Sequence, residues 1–192
     1  MEGFVEIFLI AIIILLVFIY FEGKSNEVTY VKAEDKNSYL VRNLPDKKKA
    51  ANLIARTRQR LLTLTKHLQE KKEQNARITR FVQNFHPEPK TFSESTPDSK
   101  YTSYSVNKGE KVVFCLRSRN SEEKLVDDNL LMFVALHEMA HIMTKSIGHT
   151  DEFWENFRYL LRQAIEIDLY QPHDFRNNPV EYCGTQITDS PL

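Results

Sequence analysis

The sequence predicts an α+β fold in which a small sheet and two core helices follow a long N-terminal helix and one membrane-spanning helix. Three observations predict it: an apolar run near the N-terminus, two short β-type segments around an Asn-Lys-Gly turn, and two strongly patterned helices in the C-terminal half. A composition of 42% hydrophobic and 27% charged residues is that of a globular chain with room for one modest core.

The apolar run over residues 4–21 consists almost entirely of Ile, Leu, Val and Phe, with Glu6 as its one charge. A helix of this length rises about 27 Å, close to the hydrocarbon thickness of a bilayer. A cleaved signal peptide is the alternative, but no basic segment precedes the run and no small-x-small site follows it. We therefore expect residues 1–23 to be an uncleaved anchor. Lysines follow the run and none precedes it, so the positive-inside rule favours a cytoplasmic domain.

Composition and periodicity divide the rest of the chain. Residues 24–45 are polar and mixed in charge, which is typical of a tether. Residues 46–85 repeat apolar side chains at three- and four-residue steps and predict one long amphipathic helix, with a possible break near residues 72–75. Residues 86–100 hold three prolines and predict a loop, which leaves residues 101–192 as the core domain.

Charge is unevenly distributed, although the formal net charge is zero. Residues 46–85 carry 11 Lys or Arg against 3 Asp or Glu, whereas residues 121–192 carry 5 against 13. A solvated face is the simple interpretation of the basic helix. Attraction to anionic lipid or to nucleic-acid phosphates is the alternative, and an anchored chain favours lipid.

The core domain begins with segments 101–106 and 111–117, whose Tyr, Val and Phe residues around a glycine-containing turn predict a β-hairpin. The helix over residues 125–144 is apolar nearly all round and is therefore expected to be buried. A second helix, over residues 151–170, has one aromatic and aliphatic face.

Two cysteines, Cys115 and Cys183, are too few for a disulfide framework and form no CxxC pair. They could form one bridge. We expect two buried thiols instead.

An HExxH motif, His137-Glu138-Met139-Ala140-His141, lies on the helix that is expected to be buried. Side chains four residues apart share a helix face, so both imidazoles can bind one zinc ion, which lowers the pKa of its water to roughly 7. Glu138 is then the candidate general base, which takes a proton from that water and returns it to the leaving amine. A chance cluster is the alternative, but burying three unpartnered polar groups would cost several kcal/mol.

His149 is the candidate third ligand of the metal. Gly148 precedes it directly and lets the chain turn back toward the helix that it has just left. Glu166 follows His141 by 25 residues, at a distance where other HExxH enzymes take a glutamate ligand, but the helical pattern puts it on the polar face. His173 lies in an apparent loop, where nothing in the sequence directs it inward.

The HEMAH motif, the following GHTDEFW and the later YCGTQIT resemble the WLM and SprT-like group of zincin metallopeptidases, in particular the WLM-type metallopeptidases of large DNA viruses. The resemblance covers roughly residues 93–192. It implies a minimal zincin-like domain of hairpin or small sheet, HExxH helix and second helix, with His149 as third ligand. Cellular members resemble proteases that clear proteins crosslinked to DNA, a setting from which the membrane span departs.

Three further expectations concern the surroundings of the site. Tyr182 could donate to an oxyanion, with simple packing as the alternative. Asp151 could orient a ligand histidine or cap the second helix. Residues 111–117 could be an edge strand that pairs with extended substrate, or an ordinary strand of the hairpin.

The sequence thus predicts a single-pass, membrane-anchored zinc metalloendopeptidase acting on protein or peptide substrates, in a host or virion membrane if the chain is viral. A structural or virion membrane protein that keeps a zinc site with little turnover is the alternative. A nucleic-acid-binding module leaves the HExxH motif unexplained. Glu138 favours the enzyme, because a structural zinc site has four protein ligands and no use for a carboxylate beside one.

Overall fold

The computed structural model of the chain describes residues 2–25, 27–71 and 75–192. A short 3-10 helix, Pro89–Thr91, precedes β3. The other elements follow in the order α1 (Glu2–Ser25), β1 (Val28–Lys32), β2 (Ser38–Arg42), α2 (Lys47–Glu70), α3 (Ala76–Asn84), β3 (Phe92–Glu94), β4 (Tyr104–Val106), β5 (Lys111–Phe114), α4 (Asp128–Met143), α5 (Asp151–Glu166), β6 (Val180–Tyr182) and β7 (Thr185–Ile187).

The first helix is a candidate membrane span. Over Val5–Gly23 it is long and apolar enough to cross a bilayer, and none of this stretch is buried against the rest of the chain. Its length and composition meet the requirement for a span.

Five strands form one mixed sheet in the order β1-β2-β3-β5-β4. The pairs β1–β2 and β5–β4 are antiparallel, whereas β3 runs parallel to both β2 and β5. The predicted hairpin is present as β4 and β5. The expectation that residues 111–117 are the substrate-pairing edge is wrong, because β3 occupies the outer side of β5 and leaves β4 at the edge, beside α4.

Residues 24–45, expected to be a polar tether, contain β1 and β2. In β2 the side chains of Tyr39 and Val41 are fully buried. The Tyr39 hydroxyl donates to the Asp35 carboxylate at 2.5 Å, so its polar end is satisfied. The segment looks polar because only alternate side chains face the core, which is the pattern of a half-buried strand.

The predicted helix over residues 46–85 is divided into α2 and α3. The Asn75 side chain caps α3 by accepting from the Arg77 N–H at 3.1 Å. Of the possible break at residues 72–75, residues 72–74 lie outside the described residues. The apolar stripe of α2 faces the core, where Leu61 and Leu64 are fully buried.

Residues 86–100, expected to be a loop, contain the central strand β3. Glu94 is buried there, and its carboxylate accepts from Arg117 Nε at 2.8 Å and from the Arg42 backbone N–H at 2.7 Å. A buried carboxylate is tolerated when it is paired and hydrogen-bonded. The strand was missed because the partners of its polar side chains lie far away in sequence.

The basic and acidic parts of the chain meet in ion pairs. Arg56 Nε lies 2.7 Å from Asp128 Oδ1, and Lys71 Nζ lies 2.8 Å from Glu166 Oε2. Several cations of the predicted basic helix therefore have partners inside the fold. This arrangement lends no support to a lipid or nucleic-acid surface on that helix.

The cysteines form a disulfide, so the expectation of two thiols is wrong. Cys115, which directly follows β5, is bonded to Cys183 between β6 and β7, with 6.3 Å between their Cα atoms. The sheet brings together residues 68 positions apart. Sequence spacing carries no information about such an approach.

Candidate metal centre

Helix α4 carries the HExxH motif through the core. It begins at a cap in which Asp127 Oδ1 accepts from the backbone N–H groups of Asn129 and Leu130, at 2.8 and 3.2 Å. Nearly every side chain of the helix after Leu130 is buried, as its apolar composition predicts. The half-buried members His137 and His141 lie one turn apart and face an open cleft.

The three histidines singled out from the sequence come together. The ligand nitrogens of His137, His141 and His149 all lie within 4.8 Å of one another. The Nε2 atoms of His149 and His137 are 3.1 Å apart. Two nitrogen ligands of a tetrahedral zinc ion are roughly 3.3 Å apart, given Zn–N bonds of about 2.0–2.1 Å. Spacing and donor chemistry therefore fit a single zinc ion.

A phenylalanine supports this cluster from α5. The ring centroid of Phe153 lies 4.9 Å from that of His137, 4.4 Å from that of His141 and 4.6 Å from that of His149. Because Phe153 is fully buried, it holds the imidazoles from the core side and leaves their other side to the cleft. The predicted aromatic face of the second helix thus packs directly on the candidate ligands.

Burial keeps the two motif histidines neutral. It lowers the pKa of His137 to about 3, helped by the neighbouring charges of His141 and His149. It lowers the pKa of His141 to about 4, helped by His149 and Lys108. Neutral imidazole is the form that binds metal, so both side chains offer a lone pair at neutral pH.

Glu138 lines the same cleft as the three histidines and is almost fully buried. Burial raises its pKa to about 7, while hydrogen bonds from the side chain and backbone of Ser105 oppose the rise. Ser105 lies in the middle of the edge strand β4. A carboxyl group with a pKa near neutrality can both accept and return a proton. Ser105 was not predicted, because a lone serine in a strand carries no signal.

The site opens into a cleft of about 740 Å³. One wall is β4 with its preceding and following turns, and the other is α4 with the loop that carries His149. Gly148 in that loop has a φ of 85°, which is the chain reversal that the sequence predicted. Tyr101 and Ile147 stand at the mouth and are exposed by 57% and 91%.

The rejected ligand candidates lie elsewhere. Glu166, at the end of α5, pairs with Lys71, and His173 Nε2 lies 2.8 Å from the backbone oxygen of Asn178. Asp151 is exposed in the first turn of α5, where a carboxylate favours the helix N-terminus.

Tyr182 is buried behind the hairpin. Its hydroxyl lies 2.6 Å from Ser103 Oγ and donates to the Cys115 carbonyl at 2.8 Å. Burial raises its pKa well above the ordinary range, and the charge of Glu138 adds to the rise. The hydroxyl therefore ties the C-terminal segment to the residue before β4 and the residue after β5.

The fold and the site together define an α+β protein with a buried HExxH helix, a third histidine after a glycine turn, and a carboxyl group beside an open cleft. The chain belongs to the WLM domain family, whose model matches residues 34–191. This is a metallopeptidase-like family. The match begins before β2, so the family's unit is longer than the sequence resemblance over residues 93–192.

Relatives with similar sequences are viral. The chain is 37% identical over 187 residues to uncharacterized protein R325 of Acanthamoeba polyphaga mimivirus, covering 96% of this chain and 94% of that one. It is 44% identical over 71 residues to uncharacterized protein 042R of Invertebrate iridescent virus 3, covering 36% of this chain and 43% of that one.

Among solved structures, the crystal structure of Wss1 from Saccharomyces cerevisiae is similar, with 22% identity and a TM-score of 0.48. That similarity covers 65% of this chain and 84% of that one.

Proposed function

We propose that this chain is a membrane-anchored zinc metalloendopeptidase that hydrolyses peptide bonds in protein substrates. The observation that carries the proposal is the convergence of three imidazoles and one buried carboxyl group on an open cleft. Membership of a metallopeptidase-like family supports it.

His137, His141 and His149 would hold the zinc ion, because their nitrogens are close enough to share one ion and burial keeps the first two neutral. When bound, zinc supplies Lewis acidity, which makes water more acidic and polarises a carbonyl group. Three protein ligands leave one coordination position open, as catalytic zinc sites require.

Glu138 would act as the general base and then as the general acid. It accepts a proton from the attacking water and delivers that proton to the leaving nitrogen of the peptide bond. Its burial favours acceptance of the proton, because the neutral carboxyl group costs less to bury than the carboxylate, and a pKa near neutrality still allows the proton to be returned. Ser105 faces the carboxyl group from the neighbouring strand and orients it.

The edge strand β4 offers a place for the substrate. Its inner side pairs with β5, and its outer side has no strand neighbour within the described sheet. An extended peptide can add to such an edge through backbone hydrogen bonds. Because Ser105 lies in β4 and also contacts Glu138, a peptide bound there would pass directly beside the general base.

Helix α1 would anchor the enzyme. Its apolar stretch, Val5–Gly23, has the length of a membrane span. The helix ends at Ser25 and β1 begins at Val28, so the domain follows the anchor closely. We therefore expect substrates at or near the membrane surface.

The test is zinc content measured together with cleavage of an unfolded protein mixture by the full-length chain in detergent. We expect about one zinc per chain, lost in His137→Ala. Glu138→Gln should keep zinc and lose at least about a hundredfold in turnover. Glu155→Gln, on the exposed face of α5, is the matched control and should behave as wild type.

Absence of zinc from the wild-type protein would overturn the proposal. Zinc without cleavage in the wild type would favour the structural alternative. Equal turnover in wild type and Glu138→Gln would exclude the assigned role of Glu138.

A further inference from the structure

A lysine in the turn between β4 and β5 reaches the end of the HExxH helix. Lys108 Nζ donates to the backbone carbonyls of His141, Thr144 and Ser146 at 3.2, 2.7 and 3.0 Å. An ammonium group has three N–H donors, so these contacts use all of them. One side chain thus holds the end of α4 and the start of the loop that carries His149.

These carbonyls need a partner from outside the helix. Helix α4 ends at Met143, and the last carbonyls of any helix lack intrahelical N–H partners. A cation is favoured at this end because the helix dipole is negative there. Arg80 supplies a second cation, since its Nη1 donates to the Met143 carbonyl at 2.9 Å.

The position of Lys108 is set by a tight turn. Asn107, Lys108 and Gly109 have φ angles of 47°, 55° and 114°. A Cβ atom at Gly109 would lie 2.5 Å from the backbone oxygen of Asn84, so only glycine permits this approach to the end of α3. The backbone, and not a flexible loop, therefore directs the lysine toward α4.

Glu152 binds the same loop through the loop's hydrogen-bond donors. Its Oε1 accepts from the Lys145 N–H at 3.1 Å, and its Oε2 accepts from the N–H and the hydroxyl of Ser146 at 3.3 and 3.2 Å. Carbonyls at 144 and 146 are thus bound by a cation, and N–H groups at 145 and 146 by a carboxylate. His149 follows three residues later.

We infer that Lys108 and Glu152 are positioning residues for the metal site. Together they fix the loop that places His149 beside His137 and His141, although neither belongs to the candidate ligand set. Lys108 also joins the turn after β4 to that loop, so one side chain links the strand proposed to pair with substrate to the loop of the third candidate ligand. This inference rests on the proposed zinc site.

The experiment compares Lys108→Met and Glu152→Gln in the full-length chain in detergent. Zinc affinity is measured by competition with a chromophoric chelator, and ligand geometry by the visible spectrum of the cobalt-substituted protein. We expect each variant to lose about tenfold in zinc affinity, the lower end of the effect of residues that support metal ligands. The cobalt bands should shift in both. The fold-loss of zinc affinity in the double variant should be smaller than the product of the two single losses, because both residues hold one loop.

Lys111→Met and Glu155→Gln are matched controls, since both side chains are exposed. The substitutions are the same as those at Lys108 and Glu152 and change the charge equally. They should keep wild-type affinity and spectrum. The thermal midpoint of the zinc-free protein reports separately on folding. If Lys108→Met fails to fold, the zinc affinity and cobalt spectrum of Glu152→Gln test the inference.

Wild-type zinc affinity and cobalt spectrum in a folded Glu152→Gln or Lys108→Met protein would overturn the role of that residue and leave the proposed function intact. Failure of the wild-type protein to bind zinc would overturn the proposed function itself. The two failures are therefore distinguishable.

Discussion

The Nε2 atoms of His137 and His149 lie 3.1 Å apart, although the end of a helix separates them in sequence. The close approach follows from Gly148, whose positive φ reverses the chain, and from Phe153, which packs against both imidazoles. Three candidate ligands on a rigid helix and a hydrogen-bonded loop are thus already close enough to share one ion.

Replacement of His149 by alanine should lower zinc affinity by at least about a hundredfold, because two remaining ligands hold zinc weakly. Glu166→Gln and His173→Ala should keep wild-type affinity, since both side chains contact other parts of the chain. Chelator competition measures all three. Near-normal affinity in His149→Ala with a large loss in either of the others would contradict the assignment.

Removal of the Tyr182 hydroxyl in Tyr182→Phe should lower the free energy of unfolding by about 1–3 kcal/mol, because the Cys115 carbonyl loses its buried donor. Zinc affinity and turnover should change little. Urea unfolding and initial rates measure the two effects. A hundredfold loss of turnover at unchanged stability would instead indicate that the hydroxyl stabilises an oxyanion.

Reduction of the Cys115–Cys183 disulfide should destabilise the domain by about 4 kcal/mol, because the bond closes a loop of 68 residues in the unfolded chain. The measurement is urea unfolding with and without a reductant. The double Cys→Ser variant is the control, and its stability should not respond to the reductant. Equal stability of the oxidised and reduced wild type would show that the bond contributes nothing.

The metal-free protein should become more stable as pH rises from about 4 to about 6.5. The folded-state pKa values of His137 and His141, about 3 and about 4, lie below the ordinary 6.5, so in this window the unfolded chain binds protons that the folded chain does not. Glu138 opposes this slope, since its pKa is raised from 4.5 to about 7 and the folded state holds its proton longer. The two histidines together change the free energy of unfolding with pH by more than the one glutamate does, so the net slope is positive.

Thermal midpoints in a chelating buffer between pH 4.5 and 6.5 test this balance. His141→Gln cannot titrate, so its midpoint should rise less with pH than that of the wild type. Identical slopes would mean that the pKa of His141 is the same in the folded and unfolded states.

A reporter protein fused to residues 1–23 should stay with membranes through an alkaline carbonate wash, because salt and pH do not dislodge a spanning apolar helix. The reporter alone is the control and should be released. Recovery of the fusion in the supernatant, or an N-terminus that begins after residue 21, would contradict an uncleaved anchor.

Local patterns in the sequence were enough to identify the three histidines and the glutamate of the candidate site. The four-residue spacing of His137 and His141 puts both on one helix face whatever the rest of the fold does. Gly148 marks the turn that brings back His149, and the Asn-Lys-Gly turn marks the hairpin beside Glu138. These features depend on backbone geometry over a few residues, which the sequence alone determines.

Only the tertiary structure decided which distant groups meet. From the sequence alone, β3 resembles a polar loop and Cys115 a free thiol. In the fold, Arg117 pairs with Glu94 of β3, and the sheet brings Cys183 beside Cys115. The same holds for Lys108, whose three carbonyl partners lie on another element. Periodicity shows which side chains face the core. The partner of a buried polar group or of a cysteine, however, comes from a distant part of the chain, and only the topology of the fold determines which part that is.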